Sequence, residues 1–405
     1  MTRSTDLIHH PYQPPSEFDA PQVGVFKAST VIFPNVAAMR TREWLNKSSY
    51  TYGLHGTPTT FTLEERLATL EGGTHCILTP SGLAAIAQVD LALLKAGDEV
   101  LIPDNAYSPN KALAEGELAH FGISHQFYDA MNPADLAARI NERTRLVWLE
   151  AAGSVSMEFP DLPALVRACR ARGVCCALDN TWGAGLAFNA FDLTPGQGDA
   201  PLGVDLTIHA LTKYPSGGGD VLMGSIVTRS DALAKTIKLS HMRLGTGVAA
   251  NDAELVLRAL PSLALRYRAQ DQAARHLANW CSQQTQFSQV LHPAFHGAPG
   301  HAHWQQLCVT PQEPQGLAAG IFSVVVDTRY TTQQIDAFCD ALQLFKIGYS
   351  WGGPMSLVVP YHLSAARQLA TPHLQTGRVV RFCIGLEDVR DLQQDLAQAL
   401  QHLCL

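Results

Sequence analysis

Residues 205–219, DLTIHALTKYPSGGG, join an apolar strand pattern to a lysine and a glycine-rich loop. The half that reads DLTIHAL has the continuous apolar character of a strand that is buried on both faces. Lys213 follows this strand and precedes three glycines. Ligands of an open parallel sheet bind just beyond the carboxyl ends of its strands. The spacing therefore predicts a ligand site at the loop that contains Lys213.

The same alternation of strands and helices extends on both sides of this stretch. Strand-like runs lie at residues 76–80, 98–104, 145–151, 174–180 and 221–228. Helical patterns lie at residues 60–73, 81–97, 111–120, 132–140 and 162–173. Apolar strands separated by helices predict an α/β fold whose central sheet is mostly parallel and covered on both faces.

The sequence pattern changes near Asp252. A helical region reaches about residue 284 and is followed by shorter strand and helix patterns at residues 322–327, 332–344, 378–385 and 388–403. The first 60 residues are rich in Pro, Tyr, Thr and Gly and show no lasting periodicity. We therefore predict an extended arm with at most one short helix at 1–60, a large domain at 61–255 and a smaller C-terminal α/β domain at 256–405.

Composition narrows the class of protein. Hydrophobic residues make up 46% of the 405 residues, which excludes a disordered chain. Charged residues make up only 16%, below the roughly 25% of typical soluble domains, so we expect surface to be buried in an oligomer. The net charge of −7 and the lack of any Lys/Arg-rich block argue against nucleic acid as a partner.

Three further observations bear on location. The N-terminal stretch MTRSTDLIHHPYQPP has no apolar core of the kind found in signal peptides. No apolar stretch reaches the roughly 20 residues that a membrane-spanning helix needs. Nine cysteines without regular spacing fit a reducing compartment better than a disulfide framework. We therefore expect a cytoplasmic protein with no membrane partner.

Four features at strand ends carry the chemistry. The sequence Ser81-Gly82-Leu83 opens a helix, whose free N–H groups favour an anion such as phosphate. Asp179 ends an apolar strand, and Lys213 ends another. Each alone also fits an ordinary helix start, a turn aspartate or a surface lysine. Together, and with Tyr107 available to stack on a ring, they match what pyridoxal 5'-phosphate requires.

The chain resembles the Cys/Met-metabolism family of pyridoxal phosphate (PLP) enzymes, which has the aspartate aminotransferase fold, fold type I. The motifs that carry the resemblance are YTYGLHGTPT (50–59), PSGLAAI (80–86), DNAY (104–107), LEAAGSVSMEFPD (149–161), LDNTWGAG (178–185), LTKYPSGGGDVLMG (211–224), YSWGGPMSL (349–357) and RFCIGLED (381–388). Within the family the chain is most similar to the bacterial cystathionine β-lyases. The YSWGG motif favours that branch, because γ-acting relatives more often carry Leu in place of Trp351.

The resemblance implies a set of cofactor-binding residues. Lys213 would carry PLP as a Schiff base and move protons, and Asp179 would pair with the pyridinium nitrogen. Tyr107 would stack on the ring and is, with Lys213, an implied catalytic residue. The phosphate would be bound by Gly82, Leu83 and the hydroxyl of Thr212, and from the neighbouring subunit by Tyr52.

The resemblance also implies substrate-binding residues and an oligomer. Arg381 would bind the substrate α-carboxylate, helped by Ser350 and Trp351. Tyr52 would complete a neighbour's site, which implies a homotetramer arranged as a dimer of dimers. The implied activity is that of a lyase of methionine biosynthesis: β-elimination of L-cystathionine, a small sulfur amino acid, to homocysteine, pyruvate and ammonia, with cystine or other cysteine S-conjugates as further substrates.

The chain departs from the family pattern at three places. Leu54 and His55 occupy the stretch where relatives often place a phosphate-binding Arg, so His55 is expected to donate a weaker hydrogen bond there. Met355 replaces a usual acidic residue near the substrate. Ala210 lies where some relatives place a phosphate-binding Ser.

Two alternatives stay open, and a third, a metal site, is not expected. A γ-acting relative, such as cystathionine γ-synthase, cystathionine γ-lyase or methionine γ-lyase, would share these motifs. A PLP-fold protein without catalysis would bind the cofactor as a scaffold or regulator. The histidines between residues 292 and 303 lack the ordered spacing of metal ligands, so no metal site is expected.

Overall fold

The computed structural model describes residues 20–196, 201–363 and 367–403. Residues 1–19 of the predicted arm therefore lie outside the described residues. Two β-sheets organise the chain: a seven-stranded sheet with the order β1-β7-β6-β5-β4-β2-β3, and a five-stranded sheet with the order β10-β11-β12-β9-β8. The seven strands come from residues 75–228 and the five from residues 287–383.

The strands are β1 His75–Thr79, β2 Glu99–Pro103, β3 Ser124–Tyr128, β4 Thr144–Glu150, β5 Cys175–Asp179, β6 Leu206–Ala210, β7 Gly224–Thr228, β8 Phe287–Leu291, β9 Ile321–Val326, β10 Lys346–Ile347, β11 Leu357–Tyr361 and β12 Arg378–Cys383. The α-helices are α1 Val36–Arg40, α2 Pro58–Glu71, α3 Gly82–Leu93, α4 Ser108–Leu113, α5 Pro133–Arg139, α6 Leu162–Ala171, α7 Asp231–Leu244, α8 Ala250–Ala259, α9 Leu263–Cys281, α10 His301–Cys308, α11 Thr332–Ala341 and α12 Val389–Ala399. Shorter 3-10 turns lie at Gly53–His55, Leu260–Ser262 and Leu400–His402, and a π-helical turn at Ala114–Leu118.

The seven-stranded sheet confirms the predicted mostly parallel architecture. Strands β3, β2, β4, β5 and β6 run parallel to one another, whereas β7 is antiparallel to both β6 and β1. Apolar clusters cover both faces of this sheet, as the continuously apolar strands predict. The sequence did not reveal the edge strand β3, because SHQFY is polar at three of its five positions.

Helices α2 and α3 begin at strong local signals. Helix α2 begins at Pro58 behind Thr57, which forms a capping box with Thr60. The predicted start at residue 60 is thus two residues late, because the cap precedes the proline. Helix α3 follows β1 with a single turn, and the Ser81 hydroxyl accepts a hydrogen bond from the Ala84 N–H at 3.0 Å.

The five-stranded sheet is the core of the C-terminal part. Its apolar side chains pack against helices α9, α11 and α12. Strands β8, β10 and β11 were not predicted, and Pro360 within β11 disguises that strand in the sequence. The predicted domain boundary at residue 255 falls between the two sheets and stays a prediction. At 19 residues α9 is the longest helix, and none in the described ranges is both long and apolar enough to cross a membrane.

Candidate active site

A cavity of about 640 Å³ opens at the carboxyl edge of the seven-stranded sheet. Residues that follow β1, β2, β4, β5 and β6 form most of its wall, and the loop before β11 and strand β12 close it. Nine of the eleven site residues predicted from the sequence line it: Gly82, Leu83, Tyr107, Asp179, Thr212, Lys213, Ser350, Trp351 and Arg381.

One end of the cavity is the start of helix α3. The N–H groups of Gly82 and Leu83 lie in the first helical turn, where no carbonyl within the helix can accept them. A side chain at residue 82 would place its Cβ only 2.6 Å from the Cβ of Ala210, so only glycine allows this approach. Unpaired N–H groups at the positive end of a helix suit a phosphate.

Lys213 projects into the cavity from the loop after β6. Its Nζ donates a hydrogen bond to the Ser350 hydroxyl at 2.9 Å and lies 5.7 Å from the centroid of the Trp351 ring. Burial, and secondly the charge of Arg381, lower the pKa of Lys213. A lowered pKa increases the share of neutral amine at physiological pH, and the neutral amine is the nucleophilic form.

Two carboxyl groups stand side by side at the ends of β4 and β5. Glu150 and Asp179 are direct neighbours in the register of these parallel strands, and both line the cavity. Burial raises the pKa of each, and the pKa of Glu150, raised further by Asp179, lies well above its ordinary value. Asp179 accepts the Thr181 N–H at 3.0 Å. Because the pKa of Glu150 is raised more strongly, Asp179 is the carboxylate better suited to pair with a cation.

Tyr107 lies over this carboxyl pair. Its backbone N–H donates to Glu150 at 2.8 Å, and its side chain is 42% exposed at the cavity mouth. This anchoring holds the residue in place while the ring is free to contact a ligand.

Arg381 supplies the second cation. It lies on β12, is 7% exposed, and its guanidinium is 5.2 Å from the centroid of the Tyr361 ring. Its Nε is buried and has no hydrogen-bond partner within the described ranges. A buried guanidinium with an unused donor is suited to a carboxylate ligand.

The loop at residues 349–356 presses against Lys213. Ser350 has a φ of 105°, which is rare for a residue other than glycine, and Gly352 approaches the backbone of Tyr214 so closely that a Cβ would lie 2.8 Å from its nitrogen. Glu387 anchors the loop, because it accepts the N–H and the hydroxyl of Ser356 at 2.7 and 2.8 Å. These hydrogen bonds to Glu387 thus hold the loop that contains the strained backbone of Ser350.

Two predicted residues lie outside the cavity, and one makes an unexpected contact. Tyr52 is 44% exposed and bonded to the Ser29 hydroxyl, and His55 bonds Thr51 at 2.8 Å; both belong to the segment before helix α2. The Thr212 hydroxyl, predicted to bind phosphate, exchanges hydrogen bonds with the backbone of Met223 at 3.3 and 3.4 Å. The phosphate roles of these three residues stay predictions.

The cavity-lining residues that the sequence analysis did not predict include Glu150, Thr181 and Tyr361. Glu150 had a usable signal, because it ends an apolar strand just as Asp179 does. Thr181 stands in the quoted DNTW run, where its hydroxyl accepts the Ala210 N–H at 3.0 Å and so joins the ends of β5 and β6. Tyr361 had no clear signal, since it ends the strand that contains Pro360.

These groups fit pyridoxal 5'-phosphate. The first turn of α3 offers N–H groups for a phosphate, and Lys213 offers an amine of lowered pKa for an aldehyde. Asp179 offers a half-buried carboxylate at the cavity wall for a protonated ring nitrogen. In the described ranges, no group of three or more His, Cys, Asp and Glu side chains could hold a metal ion.

Known proteins share this sequence and fold. The family described as Cys/Met metabolism PLP-dependent enzyme matches residues 4–401. A cystathionine beta-lyase of Bordetella avium is 36% identical over 404 residues, which cover 97% of this chain and 96% of that protein. The cystathionine beta-lyase MetC of Escherichia coli (strain K12) is 33% identical over 91% of each chain.

A solved structure supports the fold. The crystal structure of cystathionine gamma synthase from Xanthomonas oryzae pv. oryzae in complex with cystathionine superposes with a TM-score of 0.82 at 27% identity, over 96% of this chain and 95% of that one. The family match and this likeness confirm the predicted fold type and the predicted cofactor, pyridoxal 5'-phosphate. The chain belongs to the family of Cys/Met metabolism PLP-dependent enzymes.

Proposed function

We propose that this enzyme is a cystathionine β-lyase. With one water, it would convert L-cystathionine to homocysteine, pyruvate and ammonia by breaking the Cβ–S bond. One observation carries the proposal: an amine, a carboxylate and a guanidinium, from Lys213, Asp179 and Arg381, converge on one cavity in a chain 36% identical to a cystathionine beta-lyase.

The cofactor would be held by residues of the large sheet. When bound, pyridoxal 5'-phosphate supplies an electron sink for negative charge at the substrate Cα. The N–H groups of Gly82 and Leu83 would bind its phosphate, and Asp179 would keep its ring nitrogen protonated. Tyr107 would cover one face of the ring, in keeping with its backbone bond to Glu150 at 2.8 Å.

Lys213 would be the proton carrier of the reaction. Its amine would accept the proton of the substrate Cα and return one to the leaving sulfur. Burial and Arg381 lower the pKa of Lys213, which favours the unprotonated amine that the first transfer needs. The Ser350 hydroxyl, 2.9 Å from Nζ, would keep the amine within the cavity.

Arg381 would fix the substrate. Its buried Nε, which has no hydrogen-bond partner among the residues that the structure describes, supports a charge-assisted hydrogen bond to the α-carboxylate. Ser350 and Trp351 would line the same end of the cavity, where both lie against Lys213. Binding of the substrate carboxylate would thereby orient the Cα–H bond toward the amine of Lys213.

A homotetramer in the cytoplasm completes the proposal. Tyr52 is exposed and lies outside its own chain's cavity, which supports a role toward a neighbouring subunit, and His55 follows three residues later. Analytical ultracentrifugation of the wild type, together with the dissociation constants of PLP for the wild type and for Tyr52→Phe, tests this. A monomeric, fully active wild type would contradict it, as would a Tyr52→Phe variant with unchanged PLP affinity.

Product analysis tests the activity. Purified enzyme is incubated separately with L-cystathionine, L-cystine and L-methionine, and keto acids and thiols are identified. Pyruvate and homocysteine from L-cystathionine are expected. A protein that takes up PLP but releases no keto acid from any of these substrates would overturn the proposal, and would favour a non-catalytic PLP-binding protein.

A γ-acting enzyme is the second candidate. The likeness to a cystathionine gamma synthase structure, with a TM-score of 0.82, favours it. The two reactions give different products, since γ-elimination yields 2-oxobutyrate. 2-Oxobutyrate in place of pyruvate would therefore replace the first proposal with this one.

A further inference from the structure

A buried charged network lies behind the cavity, on the opposite side of strands β5 and β6. Glu71, the last residue of helix α2, has a side chain with no exposed surface. Its Oε1 is 2.9 Å from Nδ1 of His209, and its Oε2 accepts a hydrogen bond from the Asn180 amide at 2.7 Å. One carboxylate therefore joins the ends of two adjacent strands.

Each strand end that Glu71 contacts also bears a residue of the site. Asn180 directly follows Asp179 at the end of β5. His209 lies on β6, four residues before Lys213. Side chains alternate between the faces of a strand, so Asn180 reaches back to α2 while Asp179 lines the cavity.

The anion-binding turn depends on the same strand end. Ala210, next to His209, is the residue whose Cβ limits residue 82 to glycine. A shift of the end of β6 would therefore move the contact with helix α3 as well as Lys213. The remaining side-chain link between the two strand ends in the described ranges, from Thr181 to the Ala210 N–H, is on the cavity side.

We propose that Glu71, through His209 and Asn180, is a positioning residue that sets the separation between Asp179 and Lys213. The inference rests on the proposed roles of Asp179 and Lys213 at the cofactor. A displacement of about 1 Å at a reacting group can cost roughly a hundredfold in rate, so a rigid tie behind the site has a direct catalytic consequence.

The charge of the network supports this role. A buried carboxylate needs a partner, and the Nδ1–H of His209 provides it for Glu71. The Nε2 of His209 is buried and has no hydrogen-bond partner in the described part of the chain. Burial acts to raise the pKa of Asp179, and the hydrogen bonds from Thr181, followed by the proximity of His209 and Lys213, act to lower it. The titratable and charged groups on the cavity side include Asp179, Glu150, Lys213, Tyr107 and Arg381, and those behind the strands include Glu71 and His209.

The test compares Glu71→Gln and His209→Asn with two matched variants. Asp395→Asn alters a buried carboxylate that accepts backbone N–H groups of residues 343–345, and His292→Asn alters a fully buried histidine; neither residue lines the cavity. For each holoenzyme we would measure kcat and KM, the dissociation constant of PLP, the pH midpoint of the cofactor's visible absorption, and the melting temperature.

Glu71→Gln and His209→Asn are expected to lower kcat about tenfold or more with KM changed less than about threefold, to weaken PLP binding and to shift the absorption midpoint. The matched variants should lower the melting temperature but leave the other readouts unchanged. Equal loss of melting temperature in all four variants with unchanged kcat, PLP affinity and absorption midpoint would overturn the inference.

A double variant covers the case in which the single variants fail to fold. Glu71→Met with His209→Leu replaces the ion pair by apolar side chains, which is often tolerated. A stable double variant that stays impaired supports positioning, whereas one that regains full kcat and PLP affinity refutes it. Wild-type enzyme that binds PLP through Lys213 but cleaves another substrate would refute the proposed function alone.

Discussion

The cavity and the junction around Glu158 hold buried charges in opposite ways. Among the described residues, the amine of Lys213 has one hydrogen bond, to the Ser350 hydroxyl, and Nε of Arg381 has no partner. At the junction, Glu158 is 2% exposed and accepts hydrogen bonds from four side chains: Asn105 at 2.9 Å, Ser156 at 2.7 Å, Arg367 at 3.0 Å and His373.

The charged groups of the cavity have few partners and are available to a ligand, whereas those of the junction bind one another and stabilise the fold. Arg367 and His373 belong to the segment after β11, so the junction ties the C-terminal part to the large sheet. Asp104 adds to it by accepting the N–H groups of Gln368 and Leu369 at 2.9 and 2.8 Å. At the junction, hydrogen bonds and ion pairs within the chain offset the free-energy cost of burying these charged groups. In the cavity, the cofactor and the substrate would offset that cost.

Removal of the cavity amine should have the largest effect. Lys213→Ala is expected to lower kcat by at least about a thousandfold, because it removes the group that moves the proton, and to abolish the visible absorption of lysine-bound PLP. Steady-state kinetics and absorption spectra check this, with circular dichroism to confirm folding. Lys235→Ala, at an exposed position of α7, is the control, and a folded Lys213→Ala enzyme with wild-type kcat would remove Lys213 from the mechanism.

Loss of the junction carboxylate should act on stability instead. Glu158→Ala leaves the buried guanidinium of Arg367 and the half-buried imidazole of His373 without their shared partner. We expect the free energy of unfolding to fall by about 3–5 kcal/mol. Denaturant unfolding of the holoenzyme measures it, with exposed Glu142→Ala as the control. A change below about 1 kcal/mol, the range of surface ion pairs, would make the junction no different from a surface contact.

A milder change in the cavity should act on substrate binding. Arg381→Lys keeps the charge but loses the bidentate fork, so kcat/KM should fall about tenfold to a hundredfold, chiefly through KM. Melting temperature should stay within a few degrees, since Nε of Arg381 has no bond to lose in the described structure. Arg390→Lys, with a side chain 80% exposed, is the control. If KM is unchanged, another group binds the carboxylate.

The junction should make the stability of the fold depend on pH, with its full contribution confined to a limited pH range. Burial acts to raise the pKa of Glu158, but His373 and Arg367 outweigh it and lower it to about 2. Its contribution is therefore complete above its unfolded pKa of roughly 4.3 and is lost as the pH falls through about 2.

His373, which is hydrogen-bonded to Glu158, sets the upper limit of that pH range. Glu158 raises the pKa of His373, so this contribution is complete below the unfolded pKa of roughly 6.5 and is lost as the pH rises through the folded value. The gap in melting temperature between wild type and Glu158→Gln should be widest at about pH 5 to 6. A gap that does not vary between about pH 3 and 9 would rule out this linkage.

How far the sequence predicts this site depends on distance along the chain. Gly82, Asp179 and Lys213 each end a strand pattern, and the rule that parallel strands bind ligands at their carboxyl ends is enough to place them together. Glu150 obeys the same rule and was overlooked. Arg381 was placed only by its motif, because it lies on a strand of the other sheet, where no local pattern indicates which face meets the cavity.

The sequence by itself determined the alternation of elements, the family, the cofactor and most cavity residues, because these depend on periodicity and short motifs. Only the tertiary structure decided that Glu158 gathers Arg367 and His373, and that Glu71 gathers His209 and Asn180. The partners in these networks are 109 to 215 residues apart. A buried carboxylate acquires its partners through the packing of whole elements, and a linear pattern contains no record of which distant side chain that packing brings within hydrogen-bonding distance.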